Sequence, residues 1–218
     1  MSSVRVASLR TLEPREMPCY RISEVAHYLR IPKASGRAWA LGQDRFRAVL
    51  ALEPQPGPPL LSFVNLVEVH VLDALRREHG VPLWATRGVL RLLDRLFPGV
   101  AHPLADRDLL TESGEVETLE AHLQRVDRDP MGRASRLYPF TRKREDPRSL
   151  AREPRLVMID PEIGFGRPVL SGTGIPTLVI ADRYKAGESI SELARDYDRP
   201  QEQIEEAIRC EVPLPTAA

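Results

Sequence analysis

The chain has 218 residues, with 31 Lys and Arg balanced by 31 Asp and Glu, which is length enough for one large or two small domains. An apolar fraction of 42% and a charged fraction of 28% are ordinary for a globular protein and exclude the fibrous and disordered classes. No apolar run is long enough to span a bilayer, Arg5, Arg10, Glu13 and Arg15 interrupt any signal-peptide core, and Cys19 and Cys210 lack metal-ligand spacing; a cytoplasmic protein with reduced thiols and no membrane contact is expected.

In chain order, Ile22, Val25, Ala26 and Leu29 fall at i, i+3, i+4 and i+7 and predict one apolar helix face, with Ser23 as its N-cap. Pro32 disfavours the α conformation at Ile31 and so stops that helix. It then opens a second one, where its missing N–H costs nothing. This second helix carries Lys33, Ser35 and Arg37 near its start and Trp39 as an apolar anchor. Helix, tight turn, helix is the order in which a second helix enters the major groove and offers its N-terminal residues to bases and phosphates. Lys, Ser and Arg supply a cation for phosphate, a hydroxyl, and a guanidinium fork for guanine. The alternative is a packed helix pair with a solvated basic edge. Gly36 lowers helix propensity there by roughly 1 kcal/mol against alanine, which suits either a close approach to DNA or a break in the helix.

Residues 45–50 alternate with period two and predict a strand. The proline-rich stretch 53–59 is a turn, and Leu60–Phe63 returns as a second strand. Helix, turn, helix, hairpin is the order of a winged helix-turn-helix. Arg45 and Arg47 share one face of the wing, either resting on the DNA backbone or serving as the wet face of an edge strand. Asn65 and Glu68 form a capping box, followed by the stripe Leu66, Val69, Leu72 and Leu75 up to Gly80. Another helix begins near Pro82, with Val89, Leu90, Leu93, Leu96 and Phe97 as its core face. Arg87, Arg91 and Arg95 recur every four residues on a different face, as a phosphate ridge or a solvated one. Val116, Leu119, Leu123 and Val126 suggest an amphipathic helix, and residues 134–140 a short strand.

Residues 141–155 are charged and broken by proline, and are read as a basic linker holding Arg142, Lys143, Arg144, Arg148 and Arg152. A second domain then opens on the apolar strand Leu156–Ile159 and a glycine-rich turn region. Helices follow from Thr177 to Ala186, from a capping box at Ser189 and Glu192, and from Pro200. Ile190, Leu193, Ala194 and Tyr197, then Ile204, Ala207 and Ile208, are their inward positions. The fold class expected is mainly α (α+β). A winged helix-turn-helix region with additional helices spans residues 1–140, and a small three-helix domain with short strands spans 156–218.

Net charge follows the same blocks: +4 over residues 1–60, −4 over 61–130, +5 over 131–155 and −5 over 156–218. The helix-turn-helix thus lies in a positive block, as phosphate contact requires. The last helix carries Glu202, Glu205 and Glu206, which phosphates would repel, so DNA reading is expected in the first domain only. Enzymatic chemistry and cofactors are not expected. The glycines at 164, 166, 172 and 174 lack the lysine of a phosphate loop and the spacing of a dinucleotide fingerprint. The five histidines show no ligand pairing, and His70 reads as a structural residue. No Ser or Cys sits in a nucleophile motif.

Ile159–Pro161, Gly166–Val169, Gly172–Thr177, Ala186–Ser189 and Glu205–Arg209 reproduce, in order, the pattern of a bacterial family of unknown function, number 433, and the region 157–211 is similar to it. The Tyr20–Trp39 block, and Leu61–Phe63 leading into Asn65–Glu68, resemble the DNA-binding part of larger VapB-like antitoxins. The resemblance implies a type II toxin–antitoxin antitoxin: a homodimeric repressor of its own operator DNA that also neutralises a PIN-domain ribonuclease toxin. PIN nucleases hold metal with clustered carboxylates, so an arginine among Arg142, Lys143, Arg144, Arg148 and Arg152 would either enter that site or belong to a solvated tether. The C-terminal unit would then support dimerisation or toxin contact. Two other readings remain from the residues alone: a stand-alone dimeric transcription regulator without a toxin, and an interaction module without DNA binding.

Overall fold

The computed structural model describes residues 13–43, 46–52, 55–77, 80, 82–96, 101–105, 121–141 and 153–212. After a short 3-10 turn at Pro14–Glu16 and strand β1 (Tyr20–Arg21), helices α1 (Ile22–Tyr28) and α2 (Lys33–Leu41) pack against each other across a tight turn. The expected cap of α1 differs: Arg21 is the N-cap residue, and its N–H donates to Glu24 Oε2 at 2.7 Å. Ser23 is already inside the helix. The turn is made by Arg30 in a left-handed conformation (φ 57°), and Pro32 caps α2 rather than beginning it.

The expected hairpin partners also differ. β2 (Leu60–Leu61) pairs antiparallel with β1, Tyr20 opposite Leu61 and Arg21 opposite Leu60. Among the described residues, 46–52 form no strand beyond an isolated bridge of Phe46 with Gln43. The reason is visible at the backbone: the N–H groups of Val49 and Leu50 donate to the Trp39 carbonyl at 2.8 and 3.1 Å, so they serve α2 instead of a sheet.

Helix α3 (Phe63–Arg77) begins a turn earlier than its predicted cap. Ser62 Oγ accepts from the Asn65 N–H at 3.2 Å while Asn65 Oδ1 accepts from the Ser62 N–H at 3.1 Å, a reciprocal cap of the usual logic. Asn65 is therefore buried, and its amide donates to the Ala51 carbonyl and to Glu68, which also meets His102 at 3.1 Å. Leu66, Val69 and Leu72 lie in the core as predicted. In α4 (Leu83–Leu96), Leu90 packs against that core, while the side chains of Val89, Leu93 and Leu96, and Phe97 itself, lie outside the described residues, as do Val116 and Leu119. Val126 starts strand β3 (Val126–Arg128) rather than ending a helix, and pairs with β4 (Ala134–Leu137). His70 is buried beside His122 and stacks on Phe140, the structural role expected of it.

The C-terminal region holds the expected short strands and three helices. β5 (Val157–Met158) pairs with β6 (Val169–Leu170), and α5 (Thr177–Lys185), α6 (Ile190–Asp196) and α7 (Gln201–Glu211) follow. The Ser189–Glu192 capping box is formed. Leu170, Ile180, Leu193, Ile204, Ala207 and Ile208 make its core, with Ile190, Ala194 and Tyr197 packed on it. The two regions also share structure: Leu137 and Ile159 exchange backbone hydrogen bonds of 3.0 and 2.8 Å, and Ile159 belongs to the N-terminal core. The Thr141 N–H donates to Glu153 Oε1 at 3.0 Å, and buried Arg125 donates to the Glu153 carbonyl at 2.6 Å. Thr141 and Glu153 are thus bonded to each other, and residues 142–152 lie outside the described residues.

Candidate nucleic-acid interface

Helix α2 has two distinct faces. Trp39 and Ala40 are buried, and the Arg76 guanidinium lies 5.8 Å from the Trp39 ring centre. Lys33 and Arg37, four residues apart and hence one turn above each other, are exposed, with Ser35 half-buried. Apart from the field that Lys33 casts on His27, neither cation has an ion-pair or hydrogen-bond partner among the described residues. The helix therefore presents donors outward while its apolar side fixes its orientation.

Gly36 faces inward, against α1. A Cβ placed there would meet Ile22, Ile31 and Ala26 at 3.5–3.8 Å, ordinary van der Waals contact against α1. The close approach expected at this glycine is between the two helices. Because the space already accommodates a methyl, Gly36→Ala is expected to stabilise the protein by about 0.5–1 kcal/mol through helix propensity, read as a higher midpoint in urea with an unchanged slope.

Arg47 is exposed, and its carbonyl accepts two bonds from the Arg87 guanidinium at 3.2 and 3.0 Å, tying the segment after α2 to α4. Arg45 lies outside the described residues, as do Arg142, Lys143, Arg144, Arg148 and Arg152. The structure thus brings Lys33, Ser35 and Arg37 onto one helix with Arg47 on the adjoining segment.

No local pattern in the chain signals how the C-terminal region holds this unit. Tyr20, fully buried, donates its hydroxyl to the Gly166 carbonyl at 2.8 Å. Arg167 Nη1 lies 2.6 Å from Glu24 Oε1, while the other oxygen of that carboxylate caps α1. At the opposite end of α1, the Arg30 guanidinium donates to the carbonyls of Arg209 and Val212, at the C-terminus of α7. A cation there also meets the negative end of the helix dipole. Burial is the main reason that the Arg30 and His27 pKa values are lowered, although Glu211 stands 4.0 Å from His27. Burial likewise raises the Tyr28 hydroxyl to about 12 and the Cys210 thiol to about 12. Both ends of α1 are thus fixed from the same neighbouring region.

The glutamates of the last helix are engaged internally. Glu205 and Glu206 both pair with Arg209, at 2.9 and 2.6 Å, and Glu206 is buried.

Residues 157–209 match the family model described as "Protein of unknown function (DUF433)". They form a DUF433 region. The chain is 29% identical over 227 aligned positions to "Putative antitoxin VapB45" of Mycobacterium tuberculosis, covering 88% of this chain and 93% of that protein. It is also similar to the crystal structure of Rv2018 from Mycobacterium tuberculosis, with a TM-score of 0.66 and 26% identity over 88% of this chain and 98% of that one. Similarity to the protein named as an antitoxin thus runs along most of the chain, with the DUF433 match at its C-terminal side. The Gly-Arg-Pro-Val turn of that region supplies both Gly166 and Arg167, the residues that hold β1 and α1.

Proposed function

We propose that the protein is the antitoxin of a type II toxin–antitoxin pair, binding operator DNA as a homodimer and neutralising a PIN-domain ribonuclease toxin. The observation that carries the DNA part is the two-faced α2: a buried Trp39 side that sets its orientation and an exposed side with Lys33 and Arg37. Lys33, Ser35 and Arg37 would meet bases and phosphates in the major groove, with Arg45 and Arg47 on the backbone. Length-wide similarity to a protein named as an antitoxin supports the toxin part. So does the exposed apolar surface of the DUF433 region, where Phe165 is 93% exposed and Leu178, Val179 and Tyr184 also face solvent. Apolar surface of that kind suits a protein partner.

Expression of the neighbouring open reading frame, alone and with this chain, tests the reading. Growth arrest alone and rescue together are expected, with copurification of the two products. Arrest without rescue, or no arrest, leaves a regulator acting through DNA only.

A further inference from the structure

Between the segment that follows α2 and helix α4 lies a cleft of about 520 Å³ lined by Phe46, Arg47, Val49, Trp84, Arg87 and Arg91. Trp84 is 72% exposed and Phe46 is 59% exposed. Among the described lining residues there are three arginines and no carboxylate. Arg91 and Arg95 turn their Nε donors back to the carbonyls of Arg87 and Arg91, at 3.2 and 3.3 Å, so the ridge runs along α4 in an ordered row. Successive members are about 6 Å apart along the axis.

A merely solvated ridge needs cations but has no use for bare aromatic rings, each of which carries about 150–250 Å² of surface that ordinarily goes inside. Here the rings and cations are interleaved. The Arg87 guanidinium lies 5.2 Å from the Phe46 ring centre while it bonds the Arg47 carbonyl. Val49 and Leu50 are bonded in turn to the end of α2 through Trp39. One wall of the cleft is therefore tied to the C-terminal end of the helix proposed to read DNA, and its charge is complementary to phosphate.

Resting on that reading, we infer that the cleft and the α4 ridge are a second DNA contact. Duplex flanking the bases read by α2 would lay its phosphates along Arg87, Arg91 and Arg95, with Trp84 and Phe46 against the sugar–base edge. Aromatic or apolar side chains flanked by arginine serve such contacts in both duplex and single-stranded recognition.

The test uses the full chain and a duplex from upstream of its own coding sequence, titrated across salt concentrations. Arg91→Gln with Arg95→Gln is expected to reduce the slope of log affinity against log salt by about 1.8, at about 0.9 for each phosphate that is no longer neutralised. Trp84 emission is expected to change on adding DNA, a signal absent from Trp84→Phe because the other tryptophan, Trp39, is buried. If either readout is unchanged while the wild-type chain binds and Lys33→Ala with Arg37→Ala abolishes binding, the second contact is overturned and the helix-turn-helix reading stands. A wild-type chain that does not bind the duplex overturns both. Emission that shifts with protein concentration before DNA is added assigns the cleft to a second copy and overturns the inference.

Discussion

Gly166→Ala is expected to lower stability by about 2–5 kcal/mol. Two costs add. Gly166 has φ 73°, in the left-handed region, which costs an alanine about 1–2 kcal/mol. A Cβ there would stand 2.2 Å from the Tyr20 hydroxyl and 3.1 Å from its ring carbon. Tyr20 is fully buried and cannot swing into solvent. The hydroxyl must therefore give up the Gly166 carbonyl, and a buried polar pair left unmade costs about 1–3 kcal/mol. Tyr20→Phe alone removes only that bond and is expected to cost about 1–3 kcal/mol. In the Tyr20→Phe background, Gly166→Ala should cost less than in the wild type, because part of the overlap has gone. Urea denaturation of the four proteins measures the coupling. Additive effects would show that the Tyr20–Gly166 contact is not what makes the glycine necessary.

Replacing Lys33 and Arg37 by alanine is expected to have the largest effect on the proposed DNA binding, with the fold intact. Each is exposed and has no ion-pair partner among the described residues, so the melting temperature should hardly move, as for surface changes in general. A base-reading side chain is worth about 1–3 kcal/mol, or about five- to 150-fold in affinity. The two variants should also separate by role. If Arg37 reads a guanine, Arg37→Ala relaxes specificity at one position; if Lys33 meets phosphate, Lys33→Ala weakens all sequences alike and lowers the salt slope by about 1. Footprints on the upstream duplex with each single variant and the pair provide the measurement. A footprint unaltered by the double substitution moves the reading head off α2.

The junction between the two regions links these expectations. Arg30 makes the turn between α1 and α2 and grips the end of α7, while Arg167 and Glu24 meet at the other end of α1. A partner that moved the DUF433 region would therefore act directly on the seating of α1, and through it on α2. Loss of packing at Gly166 should accordingly weaken the proposed DNA binding more than its distance from Lys33 along the chain suggests.

By itself the sequence determined the local elements. Period 3.6 in Ile22, Val25 and Ala26 placed α1, Pro32 set the break before α2, and Ser189 with Glu192 opened α6, because helix faces and caps depend on residues within one or two turns. It also placed Lys33 and Arg37 on the free side of α2, since the buried side was marked by Trp39. What only the tertiary structure decided are the pairings across long separations. β2 bonds β1 rather than residues 46–50, Asn65 enters the core as the third residue of its helix rather than as the cap residue, Gly36 answers to α1, and Gly166 and Arg167 reach back to Tyr20 and Glu24. Each of these choices rests on a donor, an acceptor or a methyl-sized space supplied by a distant part of the chain, and local periodicity carries no term for that.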